Sequence, residues 1–186
     1  PTVATHAGTV AAGYLEVESG VELDRYRAAG DKALAYSTVL KLGVAARVQV
    51  DLMLVGQQGV GPLRTPRDCA GPGPCGARNL IPAGIGDPSV ALKVRLATDH
   101  PLLGDFAIQT GLKLPIGDAK LTTRTTDVSV LVISSRDLGP VHIDVNIGAT
   151  FRNGDGTTSP TLASVWTASF GGTLRGPLGW TAEVFG

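Results

Sequence analysis

The chain lacks any apolar run long enough to form a transmembrane helix. Such a helix needs roughly 20 mainly apolar residues, whereas the best run, 128–133, is bounded by Asp127 and Ser134. A net charge is also missing, since 16 Lys and Arg residues balance 16 Asp and Glu residues without a basic cluster. This balance excludes an electrostatic case for nucleic-acid binding. Charged residues make up only 17% of the chain and hydrophobic residues 43%, which excludes an intrinsically disordered chain.

Glycine and proline, in contrast, are abundant, with 25 and 12 copies in 186 residues, and glycine interrupts nearly every candidate helix. Between the interruptions, apolar and polar residues alternate with period two, as side chains do on a strand. In 15–23, for example, Leu and Val alternate with acidic residues. The sequence therefore predicts an all-β fold of about nine strands, at 15–23, 36–42, 48–54, 90–96, 106–114 and 141–147, with weaker candidates at 128–134, 162–170 and 180–185.

The connections between these strands alternate in length. The connection 56–88 is very long and rich in Gly and Pro, whereas 43–47 and 135–140 are short. Long loops at one end and short turns at the other are typical of outer-membrane β-barrels. We therefore expect an antiparallel, up-and-down transmembrane β-barrel in the bacterial outer membrane, with 56–88 as a lid or constriction. A soluble barrel or sandwich whose apolar face points inward is the alternative, because alternation alone does not distinguish the two.

The six clearest strands each have one face without charged residues, as expected where a lipid-facing Arg or Lys costs about 2–4 kcal/mol. Their other faces carry charges whose sign changes from strand to strand over the first four strands, where cross-strand neighbours interact. Inside a narrow lumen such charges need partners, whereas on a solvated exterior they contribute little. We predict that the charged residues of these faces line a pore: Glu16, Glu18, Glu22, Asp24, Lys41, Asp51, Lys93, Arg95, Lys113 and Asp144.

Few residues suggest further chemistry. Cys69 and Cys75 lie in the longest predicted loop and are expected to form a disulfide in an oxidising compartment, with two free thiols as the alternative. One pair of cysteines does not complete a zinc site, so neither a metal nor a cofactor is predicted. His142 shares a polar face with Asp144 and could act with Ser129 in a barrel that hydrolyses lipids. Polar residues on a wet face are the simpler interpretation, and no catalytic residue is predicted.

Several short motifs occur in the same order as in a known family. Segment 13–20 resembles the G-x-L-x-x-E-x-G first strand of the outer-membrane barrels of the MetA pathway of phenol degradation, a transporter-like family. Segments 40–48, 84–95, 114–118 and 136–140 are similar to turn and loop motifs of the same family. The resemblance implies an outer-membrane barrel of around a dozen strands that passes small hydrophobic or aromatic compounds and has no catalytic set.

The sequence thus predicts one outer-membrane barrel domain over 1–186, a porin-like channel for passive uptake of small hydrophobic or aromatic compounds. Its partners would be outer-membrane lipid and small solutes, and not nucleic acid. Bacterial single-chain barrels have an even number of strands, so about nine strands indicate a barrel of twelve whose C-terminal part is missing. A structural or surface-interaction barrel without a conducting pore and a barrel enzyme acting on lipid are the alternatives.

Overall fold

A computed structural model describes residues 4–26, 31–60, 83–153 and 161–186, and the regular elements in these ranges are all β-strands. Among the described residues no helix is long and apolar enough to cross a membrane. The strands are β1 (Leu15–Tyr26), β2 (Asp31–Ala45), β3 (Val48–Val60), β4 (Gly84–Ile85), β5 (Ser89–His100), β6 (Gly104–Lys113), β7 (Asp127–Leu138), β8 (Val141–Arg152), β9 (Leu162–Arg175) and β10 (Leu178–Phe185).

These strands form one antiparallel sheet, curled into a half-barrel, in which each long strand pairs with the next long strand along the chain. The two-residue strand β4 pairs with β3 beside this path. Within the described ranges β1 and β10 each have one strand partner, so the sheet is open there. The all-β, antiparallel prediction is confirmed, including all nine predicted strands, whereas the twelve-strand count and the crossing of a membrane stay predictions.

The connections differ strongly between the two ends of the sheet. At one end, every turn has two or three residues, at 46–47, 101–103, 139–140 and 176–177. At the other end the connections cover 27–30, 61–83, 114–126 and 153–161. The predicted end of the fourth strand at 96 is wrong, because β5 continues to His100 and leaves only 101–103 as a turn. The fourth connection is therefore a short turn, whereas 27–30, at the end with the longer connections, has only four residues.

Strand pairing sorts the side chains onto two faces. The inner face lies on the concave side and consists of the alternate residues that surround a cavity of about 890 Å³, among them Glu16, Lys41 and Asp144. The outer face is convex and carries the intervening residues, mostly Val, Leu and Ile. Burial is concentrated on the inner side and is mainly polar, with Ala7, Ala107 and Ile133 as its small apolar part. The buried polar residues on the strands are Gln49, Asp51, Lys93, Ser135, Asn146, Thr167 and Ser169.

Candidate functional site

The charged residues singled out in the sequence lie on the inner-face register. Six of them line the 890 Å³ cavity, and the set is Glu16, Glu18, Lys41, Asp51, Lys93 and Asp144. Glu22 and Lys113 line a second cavity of about 810 Å³ nearer the long loops. Arg95 lies close to the turns, where its Nη2 donates to the Ala46 carbonyl oxygen at 3.3 Å. Asp24 is opposite Ala33 in the backbone pairing, and its side chain lies outside the described part of the chain.

Two of the lysines on this face are paired across strands. Lys41 Nζ on β2 lies 2.9 Å from Glu16 Oε1 and 2.5 Å from Glu18 Oε1 on β1. Lys113 Nζ on β6 lies 2.6 Å from Asp127 Oδ2 on the neighbouring strand β7. Both lysine side chains are largely buried, at 16% and 22% exposure, so they depend on these partners more than a surface lysine does. The inner face therefore holds matched charges next to an open cavity.

An N-terminal segment, residues 4–14, runs across this face. Because it is not part of a strand, its backbone groups need other partners. Asn146 on β8 both accepts from Thr5 N at 2.9 Å and donates to Thr5 O at 3.0 Å, as a neighbouring strand would. Further hydrogen bonds run from Ala7 N to Ser135 Oγ at 2.7 Å, from Val10 N to Gln49 Oε1 at 2.8 Å and from Lys93 Nζ to His6 O at 3.1 Å.

Packing holds the same segment in place. Ala7 has no exposed surface and packs with Ala107 and Ile133, which are also fully covered. Nearer the turns, Gly13 N donates to Gly43 O at 2.7 Å, and a Cβ on Gly43 would collide with backbone atoms of Ala11. The N-terminal segment therefore closes part of the inner cavity, and Lys93, at 3% exposure, lies beneath it.

Sequence reasoning missed this segment. Residues 4–13 show neither strand alternation nor a charged run, so no periodic signal marks them as part of the site. The available signal is indirect, because Gln49 and Asn146 place amide groups at inner-face positions. A buried side-chain amide needs partners for both its oxygen and its nitrogen. Those amides could have indicated that a piece of backbone lies across the face.

His142 is surrounded by carboxylates on the inner face. Its Nδ1 lies 2.6 Å from Asp137 Oδ1, and its Nε2 lies 3.2 Å from Asp144 Oδ1. Ser129, the candidate nucleophile, is not brought to it: His142 is opposite Asp137, and Ser129 lies eight residues along the same strand. At ~3.3 Å per residue that separation is about 26 Å. The geometry does not assemble a Ser129–His142 pair.

The connection between β6 and β7 folds back over the long-loop end of the sheet. Asp87, whose side chain is 4% exposed, accepts from Gly117 N and from Thr123 N, both at 3.0 Å. Asp118 Oδ2 on the same connection accepts from Ile85 N at 2.7 Å. Leu121 and Thr123 therefore line the second cavity. Most of 56–88, the segment expected to form a lid, lies outside the described residues, as do Cys69 and Cys75, whose disulfide stays a prediction.

Asp87 gives this loop a measurable pH dependence. Burial acts to raise the pKa of Asp87, but hydrogen bonds from Thr122, Gly117 and Thr123 outweigh it and hold the pKa below its ordinary value. A lowered carboxyl pKa contributes stability that is present above the unfolded value of about 3.9 and is lost as the pH falls through the folded value. We expect urea unfolding of the wild type to show such a loss below about pH 4.

Asp87→Asn tests this assignment. The variant should be less stable at pH 7 by about 1–3 kcal/mol, because two backbone amides lose a charged acceptor that is itself buried. Its stability should change less in acid than that of the wild type. Asp118→Asn is the matched control, since Asp118 lies on the connection between β6 and β7, accepts one amide, that of Ile85, and is exposed. An equal acid dependence in Asp87→Asn and wild type would contradict the role of Asp87.

Comparison of the chain with protein-family models, with curated proteins and with solved structures yields no match.

Proposed function

We propose that this chain belongs to an outer-membrane β-barrel whose polar inner face lines a passage for small solutes. The observation that carries the proposal is the inverted distribution of side chains over the curled sheet. Apolar side chains cover the exposed convex face, and charged and amide side chains cover the concave one. A water-soluble half-barrel would have the opposite arrangement, because burial of its apolar face drives folding.

The exposed apolar residues form an extended surface and are not isolated single residues such as those on the surface of a soluble protein. It contains residues of all nine long strands, whereas soluble monomers rarely expose contiguous apolar patches larger than a few hundred Å². Lipid removes this penalty, since a barrel presents an apolar band to the hydrocarbon. Outer-face residues within the strands that belong to this apolar surface, with the exposed fraction of each, are Val17 58%, Val21 71%, Leu54 39%, Leu92 44%, Val130 36%, Val132 37%, Val145 39%, Ile147 61%, Trp166 50% and Val184 52%.

Charge placement on the outer face supports the same proposal. Arg136, on the outer register of β7, lies only three residues before the turn that begins at Gly139. Its Nη1 reaches the Leu102 carbonyl oxygen, at 3.5 Å, on the neighbouring turn. A charge at that level lies near the headgroups of a membrane, where it costs about 0–1 kcal/mol. The short turns would then face the periplasm and the long connections the outside, as in known barrels.

The charged side chains of the inner face indicate which class of solute the proposed passage would accept. A cavity of about 890 Å³ lined by Glu16, Lys41, Asp51 and Asp144 offers hydrogen bonds to hydrated solutes. Hydrophobic or aromatic solutes, the class implied by the family resemblance, stay a prediction. Both classes are therefore included in the test below.

The proposal is tested by reconstituting the chain in lipid vesicles. The two tryptophans of the chain, Trp166 and Trp180, lie on the outer face with 50% and 38% exposure, so they report contact with lipid directly. We expect brominated acyl chains to quench their fluorescence, and Trp166→Phe and Trp180→Phe to assign the signal to each site. Vesicles that hold the protein should swell in an isosmotic pentose or aromatic acid.

The two measurements separate the parts of the proposal. Tryptophan fluorescence that brominated lipid leaves unchanged would overturn the membrane location. Quenching without swelling in either solute would overturn the passage alone. That second outcome favours a membrane-inserted barrel without a conducting pore, which the N-terminal segment across the cavity supports as the second candidate.

A further inference from the structure

Two histidines from distant parts of the chain meet on the inner face. His6 lies on the N-terminal segment and His142 on β8, and their rings stack with centroids 4.9 Å apart and planes inclined by 29°. Asp144, two residues along β8, joins them. One nitrogen or carboxylate oxygen from each of the three residues lies within 4.8 Å of the other two. The three residues thus bring two imidazoles and one carboxylate together on the inner face.

We propose that His6, His142 and Asp144 bind a divalent transition-metal ion of the zinc class. Two imidazole nitrogens and one carboxylate oxygen form a donor set that Zn²⁺ accepts, with water in the fourth position. With bonds of about 2.0–2.1 Å, neighbouring ligand atoms of a tetrahedral site lie about 3.3 Å apart. His142 Nε2 and Asp144 Oδ1 already lie 3.2 Å apart. The three ligand atoms lie within 4.8 Å of one another, so the His6 ring, which is outside the sheet, has to move by up to about 1.5 Å and turn out of its stack with His142 to reach that spacing.

Each of the three ligand side chains already has a hydrogen-bond partner outside the cluster. Asp137 Oδ1 lies 2.6 Å from Nδ1 of His142, as in the carboxylate–histidine pairs that orient metal-binding imidazoles. Ser135 Oγ donates to Asp144 Oδ1 at 2.6 Å. Gly8 N donates to His6 Nδ1 at 2.7 Å, which leaves His6 Nε2 for an ion. These contacts orient His142 and Asp144 before any ion arrives, and the His6 ring completes the site by moving toward them.

An ion at this position would join the N-terminal segment to β8. The segment is otherwise held by hydrogen bonds to side chains such as Asn146, and a metal bond to His6 would add a stronger link. The proposal does not rest on the passage of solutes, since binding of the ion is measured without it. It predicts that a zinc-class ion stabilises the closed position of the N-terminal segment.

The test uses Co²⁺ as a spectroscopic probe and Zn²⁺ as its competitor, on the full chain without an affinity tag in detergent micelles. Cys69 and Cys75 are replaced by serine in every variant, because thiolates also bind both ions. We expect one Co²⁺ per chain with the visible bands of a four-coordinate site, displaced by Zn²⁺. His6→Ala and His142→Asn should each weaken binding at least tenfold, while His100→Ala leaves it unchanged.

His100 is a strict control. It is the third histidine of the chain and lines a cavity of about 300 Å³ together with His6 and His142. Its Nδ1 accepts from the backbone amides of residues 102 and 103 at 3.3 Å, and it is not part of the three-residue cluster.

A further variant, Asp137→Asn, tests the positioning contact and should weaken binding about 10–100-fold. His6→Ala changes a residue outside the sheet, so it does not depend on the folding of β8. Absence of saturable Co²⁺ binding would overturn the proposal. Wild-type affinity in His6→Ala, or an equal loss in His100→Ala, would overturn the assignment of these ligands.

Discussion

Ile147→Arg is expected to prevent most of the protein molecules from folding into lipid vesicles. Ile147 lies in the middle of β8 on the outer face, with 61% of its surface exposed. If that face contacts hydrocarbon, an arginine there costs about 2–4 kcal/mol at the bilayer midplane. Urea titration of the vesicle-bound protein, followed by tryptophan fluorescence and by the mobility shift of folded barrels on gels, measures the loss.

Val165→Arg is the matched control for this change. Val165 is on β9 beside Ile147, is opposite Gly148 and is 38% exposed, but it belongs to the inner face. The same aliphatic-to-arginine change at the same depth should cost less than about 1 kcal/mol there, because the new charge at this exposed inner-face position meets water and not hydrocarbon. Equal effects of the two substitutions would contradict a lipid-facing outer surface. In a water-soluble protein, Ile147→Arg would be harmless.

The period-two pattern predicts the strands because most of the inner face carries polar side chains and most of the outer face carries apolar ones. Where a strand also packs against another segment on its inner face, apolar residues occur on both faces and the alternation weakens. On β7 both faces carry apolar residues, since Leu131 and Ile133 point inward while Val130 and Val132 point outward. The inward pair lies beneath the N-terminal segment, around Ala7. Strand β7 was therefore a weak candidate for a physical reason.

The contacts of the inner face were only partly accessible to sequence reasoning. The face on which a side chain lies follows from the period-two alternation, so the side of the sheet that carries Lys41 or Lys113 could be predicted. The crossing of the face by residues 4–14 could not, because it depends on backbone hydrogen bonds to single side chains such as Asn146. The meeting of His6 with His142 has the same cause, since it joins residues that no local pattern connects.

Removing the N-terminal segment should increase the flow of solutes and ions severalfold. A chain that starts at Ala11 loses the hydrogen bonds made by Thr5, Ala7 and Val10, and it uncovers Lys93, which is 3% exposed in the intact structure. The cavity of about 890 Å³ would then widen by the volume of the segment. Single-channel recording in planar bilayers measures the change, and vesicle swelling gives the same comparison for neutral solutes.

A synthetic peptide of residues 1–10 should restore the low conductance of the shortened chain, because the side chains that hold the segment remain in place. In the matched control peptide, Ala7 is replaced by phenylalanine. Ala7 has no exposed surface and packs against Ala107 and Ile133, so the larger ring has no room and the peptide should not block. If the shortened chain conducts no better than the intact one, the N-terminal segment does not close the passage. If both peptides block equally, the peptide acts without occupying the site that Ala7 defines.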